Sequence, residues 1–379
     1  MIQTPGLVLT VIAFMLVIGP LVFVHEMGHY LAGRWFGVKA DAFSIGFGRE
    51  IAGWTDARGT RWKLGWLPLG GYVKFAGDMS PASQPNAEWL ALPAHERQRT
   101  FQAKPVWQRA IIVAAGPVVN FLLAILILAG FAATVGVDRT PPVVGTIQAG
   151  SAAAVAGLQP GDRITALNGR GIDTYRDLQV YVVMRPGERV RVDYVRGGAS
   201  ATLQATLART TMRDRFGNET AIGRLGVSSG AIVYQPVPVL EAPAAGVRMV
   251  GDILRGTLDG IGQIITGRRS VKELGGPIQI AKVSGEQFSL GWTALVLLIA
   301  FVSINLGFIN LLPVPMLDGG HLFFYAIEAV RRRPVAAETQ EWAYRGGLAA
   351  LLALMLLVTF NDLGSLGLWK NVSGLVGLG

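Results

Sequence analysis

Apolar runs dominate the pattern of the chain. Leu7 to Val24 carries no charge and meets the length of roughly 18 residues needed for a spanning helix. Its apolar character continues through one cluster of ionisable residues to about Phe36. Further runs cover about Ala110 to Val137, Trp292 to Leu317 and, shorter, Gly346 to Phe360. A cleaved leader is the rival reading of the first run, but Met1 to Gly6 holds no Lys or Arg, whereas secretory leaders open on a basic region. The predicted fold class is an α-helical multi-pass membrane protein with four transmembrane helices and one inserted β-rich domain.

Between these runs the period changes. Ala42 to Trp54 and Thr60 to Leu67 read as β-rich runs around the turn Asp56-Ala57-Arg58-Gly59. Gly70-Gly71-Tyr72-Val73-Lys74-Phe75 follows at once, two glycines before an alternating strand, a pattern that permits close backbone approach. Such a strand can pair with an extended peptide or simply belong to a small sheet. In 141–208, Pro160-Gly161 and Asn168-Gly169 are strong turn dipeptides, and Val190 to Val195 alternates. The run Gly157-Leu158 … Gly161-Asp162 … Ile164 … Asn168-Gly169 resembles a PDZ domain, in a single copy. PDZ domains bind peptides by strand addition, so a peptide ligand is an expected partner. Val247, Val250, Leu254, Leu258, Ile261 and Ile265 then recur at helical spacing. That amphipathic stretch is expected either on the outer membrane surface or against the PDZ-like domain. The predicted organisation is 1–137 with two spans and a β-rich loop at about 37–105, 138–230 with the PDZ-like domain (core about 141–208) and linker, a 231–290 amphipathic segment, and 291–379 with two more spans.

Composition agrees with a lipid bilayer as partner. Only 16% of residues are charged and 51% are hydrophobic, against about 25% charged in soluble domains. The net charge of +9 comes without a basic stripe interleaved with aromatics, so nucleic acid is not an expected partner. Lys and Arg gather instead in connections: Lys39, Arg49, Arg58, Arg61, Lys63, Lys74, Arg97, Arg99 and Lys104 in 37–105, and Arg331, Arg332 and Arg333 between the third and fourth runs. The positive-inside tendency makes both cytoplasmic. Both termini and the 138–290 segment then lie on the outer side, although 138–290 also holds many Arg residues. Cys is absent, which leaves His, Asp and Glu as metal ligands.

The chemistry sits in the first run. His25-Glu26-Met27-Gly28-His29 is an H-E-x-x-H pattern. Positions i and i+4 share a helix face, so two imidazoles reach one ion, and Glu26 stays near enough to take a proton from water. Zinc held by nitrogen and oxygen with one open position activates water at neutral pH. Three ionisable groups within an apolar span are costly and usually functional. A third ligand is sought in Asn310-Leu311-Leu312-Pro313-Val314-Pro315-Met316-Leu317-Asp318-Gly319-Gly320-His321. Its prolines forbid a regular helix, and Gly319-Gly320 is expected to extend the irregular backbone. Asp318 and His321 both remain candidates there, and the Asn310 amide can donate to a carbonyl or oxyanion. Asn120 and Asn305 are either cavity-lining amides or interhelical hydrogen bonds. His95, beside Glu96 and Arg97, reads as a surface residue.

These motifs together resemble the site-2 protease family of intramembrane metalloproteases: HEMGH (25–29), GFG (46–48), PLGGYVKF (68–75), GPVVNF (116–121), GPIQIAK (276–282) and NLGFINLLPVPMLDGGH (305–321). The resemblance implies one Zn2+ held by His25, His29 and Asp318, Glu26 as catalytic base, and Asn310 as a substrate contact. It implies that Gly70, Gly71, Tyr72, Val73 and Lys74 help hold a substrate strand. It also implies cleavage of transmembrane segments of single-pass signalling proteins, such as an anti-sigma factor, after another protease has trimmed the outer domain. A non-proteolytic adaptor built on the PDZ-like domain is the alternative. A transporter would require repeated halves, and no internal repeat is visible.

Overall fold

The computed structural model describes residues 6–77, 93–213, 219–267 and 275–365. The expected outer placement of both termini concerns residues outside that set. In chain order, helix α1 (Leu7–Trp35) leads into a hairpin of β1 (Ala40–Thr55) and β2 (Arg61–Phe75), then α2 (Val106–Thr134). The β-rich region holds α3 (Ala152–Ala156), β3 (Arg163–Leu167), α4 (Tyr175–Val183), β4 (Arg189–Arg196), β5 (Ala199–Thr206), β6 (Ala208–Arg213) and β7 (Glu219–Arg224). Helices α5 (Ala242–Ile265), α6 (Pro277–Ser289), α7 (Trp292–Asn310), α8 (Asp318–Arg331) and α9 (Ala337–Ser365) complete the chain. Among the described residues, α1, α2, α7 and the 338–364 stretch of α9 are long and apolar enough to cross a membrane.

The chain divides into two compact units. The first comprises 1–128, 246–259 and 274–362. In it, Val17 and Leu21 of α1 pack with Leu295 of α7 and Phe288 of α6. Ala124 and Leu128 of α2 pack with Ala300 and Ile304 of α7 and Val250 of α5. Whereas 260–265 falls in the second unit, the 246–259 part of α5 is therefore a packed helix of the first. Its apolar stripe meets other helices because α2 and α7 offer a matching seam. The expected 231–290 segment also contains a second helix, α6. Gly276 is its N-cap, and the carboxylate of Asp362 in α9 accepts from the backbone N–H groups of Gly276 and Gln279 at 3.1 and 3.2 Å. Those are orphan donors of a helix start, satisfied from far along the chain.

The hairpin is more folded than a simple ribbon. Asp56 closes its tip, accepting from the backbone of Arg58 and Thr60 at 2.9 Å each and from the Trp62 indole at 3.0 Å. Residues 42–45 partner 61–64 on one side and 71–74 on the other, while 50–55 partner 61–65. Segment 71–75 is thus an outer edge of this small sheet. Phe43, buried, meets Trp62 at 4.6 Å and Tyr30 of α1 at 5.8 Å between ring centroids, which seats the sheet on the helix.

The second unit, built mainly of 129–245, contains a four-stranded sheet in the order 170–171, β3, β4, β5. Its core gathers Ile164, Leu167, Leu178, Val190, Val192 and Leu207. Asn168 and Gly169 both take positive φ, 49° and 80°, the requirement of a tight type I′ turn. Strands β6 and β7 pair, Val227–Ser228 pairs with Thr146–Ile147, and Leu225 enters the core. The folded region therefore runs past the expected core limit of 208. Sequence alternation is weak in the short returning strand, which hides its membership.

Candidate metal centre

Helix α1 places His25 and His29 one turn apart. Their Nε2 atoms lie 3.3 Å from each other, and Asp318 Oδ2 lies 3.3 Å from the first and 3.5 Å from the second. A tetrahedral ion with bonds of about 2.0–2.1 Å needs donors about 3.3–3.4 Å apart. The three donors already stand at that spacing. Asp318 Oδ2 is buried with no hydrogen-bond donor, a costly state for a carboxylate that a cation relieves. Donor chemistry and the orphaned oxygen both fit zinc. Among the described residues, these three are the group able to hold a metal ion.

Local sequence explains the convergence. A Cβ on Gly116 of α2 would stand 2.2 Å from His29 Nε2, and one on Gly28 would stand 2.6 Å from the Ala115 carbonyl. Two glycines thus let α1 and α2 approach until the His29 ring fits between them. His29 Nδ1 lies 2.9 Å from the Ile112 carbonyl, so Nδ1–H donates and the Nε2 lone pair is free.

Asp318 arrives from the proline-broken stretch after α7. Helix α7 stops at Asn310, short of the expected Leu317, because Pro313 and Pro315 cannot continue it. Met316 takes φ +84°, uncommon for a residue with a side chain. Asp318 then opens α8. Gly319 and Gly320 are its first turn, not further irregular backbone. They are small because a Cβ would collide with the carbonyls of Leu312 at 2.2 Å and Val314 at 2.5 Å. Arg109 donates from Nη2 to Glu328 at 2.8 Å, and its guanidinium carbon lies 4.8 Å over the Tyr325 ring, tying α2 to α8.

The three donors line a cavity of about 370 Å³ with Glu26, Gly70, Gly71, Tyr72, Val73, Asn310 and His321. That size suits a short stretch of peptide. Glu26 is buried and lines the cavity beside Val73. A Cβ on Gly71 would stand 3.0 Å from Glu26 Cγ, so this glycine admits the strand edge against α1. Lys74 is exposed and outside the cavity lining. His321, the rival ligand, shares the cavity, but its Nδ1 pairs with the Tyr344 hydroxyl at 2.8 Å. Asn305 bonds Thr257 at 3.2 Å and the Phe301 carbonyl at 2.9 Å, an interhelical role. Asn120 lies outside the cavity lining and meets His25 Nδ1 at 3.1 Å. His95 is exposed, as expected.

Comparison with known proteins agrees with this chemistry. The model of peptidase family M50 matches residues 13–354. A protein of Agrobacterium fabrum named "Putative zinc metalloprotease Atu1380" is 46% identical over 361 residues, covering 94% of this chain and 96% of the relative. The Caulobacter vibrioides protein "Metalloprotease MmpA" is 36% identical over 395 residues, covering 98% and 99%. Among solved structures, the PDZ domain of an SdrC-like protein from Listeria monocytogenes matches 24% of this chain and 87% of its own, at 20% identity and TM-score 0.19.

Proposed function

We propose, for a chain that belongs to peptidase family M50 and is a zinc metalloprotease of the membrane, that the peptide bond it hydrolyses lies in a transmembrane segment of another protein. The observation that carries this is the position of the donor cluster. His25, Glu26 and His29 stand on a helix able to cross a bilayer, about 13 Å of helix rise from Arg34. A site at that depth, nearer the cytoplasm, meets bilayer-embedded chains before soluble ones.

In this reading His25, His29 and Asp318 hold the zinc, which when bound polarises a carbonyl and eases deprotonation of water. The chain's own residues do the rest. A membrane helix hides its backbone, so cleavage requires local unwinding. Edge 71–75 offers backbone groups to the unwound strand, and the Asn310 amide donates to its carbonyl oxygen. Glu26 takes a proton from the attacking water at its carboxylate and returns it to the departing amine nitrogen. The β-rich second unit, read as a PDZ-like domain, lies on the outer side and admits substrates whose outer domain has been trimmed, an anti-sigma factor or a similar signalling protein. Both termini lie on that side too.

The test is Glu26→Gln with a reconstituted single-pass substrate. Zinc content is expected to stay at one per chain while cleavage falls by at least about 1,000-fold, since the proton acceptor is lost and the shape kept. Undiminished turnover overturns the assignment of Glu26.

A further inference from the structure

Asn120 is fully buried in α2. Its Nδ2 lies 3.1 Å from His25 Nδ1, and its Oδ1 has no hydrogen-bond partner. Its backbone carbonyl accepts from the Ser303 hydroxyl of α7 at 2.8 Å, and Ser303 is buried too. An amide's oxygen and nitrogen are distinguished only by the network around them. With Nδ2 facing His25, Nδ1 must be bare and the ring proton must sit on Nε2. But Nε2 is the atom that converges with His29 Nε2 and Asp318 Oδ2, and a protonated nitrogen has no lone pair for an ion. A metal-binding imidazole donates its other N–H to an acceptor.

We propose that Asn120 is a positioning residue of the metal site, its amide turned so that Oδ1 accepts the Nδ1–H of His25 and aims the Nε2 lone pair at the ion. The proposal rests on His25 being a ligand. His29 has a backbone carbonyl in the same role, which no substitution removes. Asn120 is the side-chain counterpart, and Ser303 holds its backbone against α7. Three helices thereby set the angle of one imidazole.

The experiment measures zinc affinity of the full-length protein in detergent, by competition with a chromogenic chelator, for the wild type, Asn120→Leu, Asn120→Asp and His25→Ala. Asn120→Leu is expected to weaken zinc about 10–100-fold, the range seen when such an acceptor is lost, and Asn120→Asp to stay within about threefold because a carboxylate oxygen accepts the same proton. Histidine-selective 15N spectra of the zinc-loaded wild type, which has four histidines, are expected to show the His25 Nδ1 protonated. A bare His25 Nδ1 in those spectra overturns the proposal, even if a variant fails to fold. So does wild-type affinity in Asn120→Leu, or an equal loss in Asn120→Asp, which would mark a packing role. Zinc retained in His25→Ala overturns the ligand assignment as well. Zinc lost there but kept in Asn120→Leu overturns this proposal alone.

Discussion

Gly116 carries no chemistry, yet the His29 ring depends on it. Adding one methyl places a carbon 2.2 Å from His29 Nε2, far inside contact distance, and the ring is held from behind by the Ile112 carbonyl. Gly116→Ala is therefore expected to weaken zinc binding by about tenfold or more, the scale of losing ligand orientation. Gly130→Ala, on the same helix with nothing within 4 Å of the added carbon, should leave the affinity unchanged; equal effects would refute the steric argument. At this scale the sequence is legible where chemistry is local. The four-residue spacing of His25 and His29 is enough to put both rings on one face. Gly116 is not legible, because a glycine's purpose is set by what another helix brings to it. The pairing of Asn120 with His25 spans 95 positions in sequence, so spacing leaves its amide with two readings.

Elements obey the same division. The prolines at 313 and 315 signal a break after α7, but whether the chain re-enters a helix at Asp318 depends on the tight packing of Gly319 and Gly320 beneath Leu312 and Val314, which no periodicity reports. The extent of the β-rich region is likewise set by pairings, such as Val227 with Ile147, too short to leave an alternating trace. Within that region Asp162 locks β3 to the end of β4. Its carboxylate accepts from Arg196 Nε at 2.6 Å and Nη2 at 2.7 Å, and from the Gln159 backbone at 2.7 Å. The Arg196 guanidinium and then the backbone donor hold its pKa below the ordinary carboxylate value against the opposing effect of burial. A carboxyl depressed in the folded state adds stability above its unfolded pKa of about 4, and that stability is lost as pH falls through the folded value. Hydrogen-exchange protection of 163–167 and 189–196, corrected for intrinsic rates, should therefore be level from pH 7 to about 5 and fall below 4. Asp162→Asn should be less protected at pH 7 and lack most of that fall. A wild-type decline unchanged by the substitution would place the effect elsewhere.

At the scale of the whole molecule, the hydropathy pattern conveys four long apolar helices, but the way they meet comes from packing seams. The first unit is assembled from three separated stretches of chain, and α5 joins it through Val250. Orientation across the bilayer rests on charge alone. The hairpin tip lies among Arg49, Arg58, Arg61 and Lys63, and α8 ends at Arg331, Arg332 and Arg333. In the proposed topology these basic loops are cytoplasmic, since the positive-inside tendency acts on short loops while a long folded insertion such as 138–230 can cross regardless of its arginines. The wild type has no cysteine, so single substitutions read the sidedness directly. Ala57→Cys in the hairpin tip and Ser200→Cys in β5 are both exposed positions. In intact spheroplasts a membrane-impermeant maleimide should label Ser200→Cys and spare Ala57→Cys, and permeabilisation should make both reactive. The reverse pattern would invert the topology. Edge 71–75 belongs to the same small sheet as the hairpin tip, so that result would also place the approach to Glu26 on the outer side, and an outer filter on substrate size would no longer be needed to explain access.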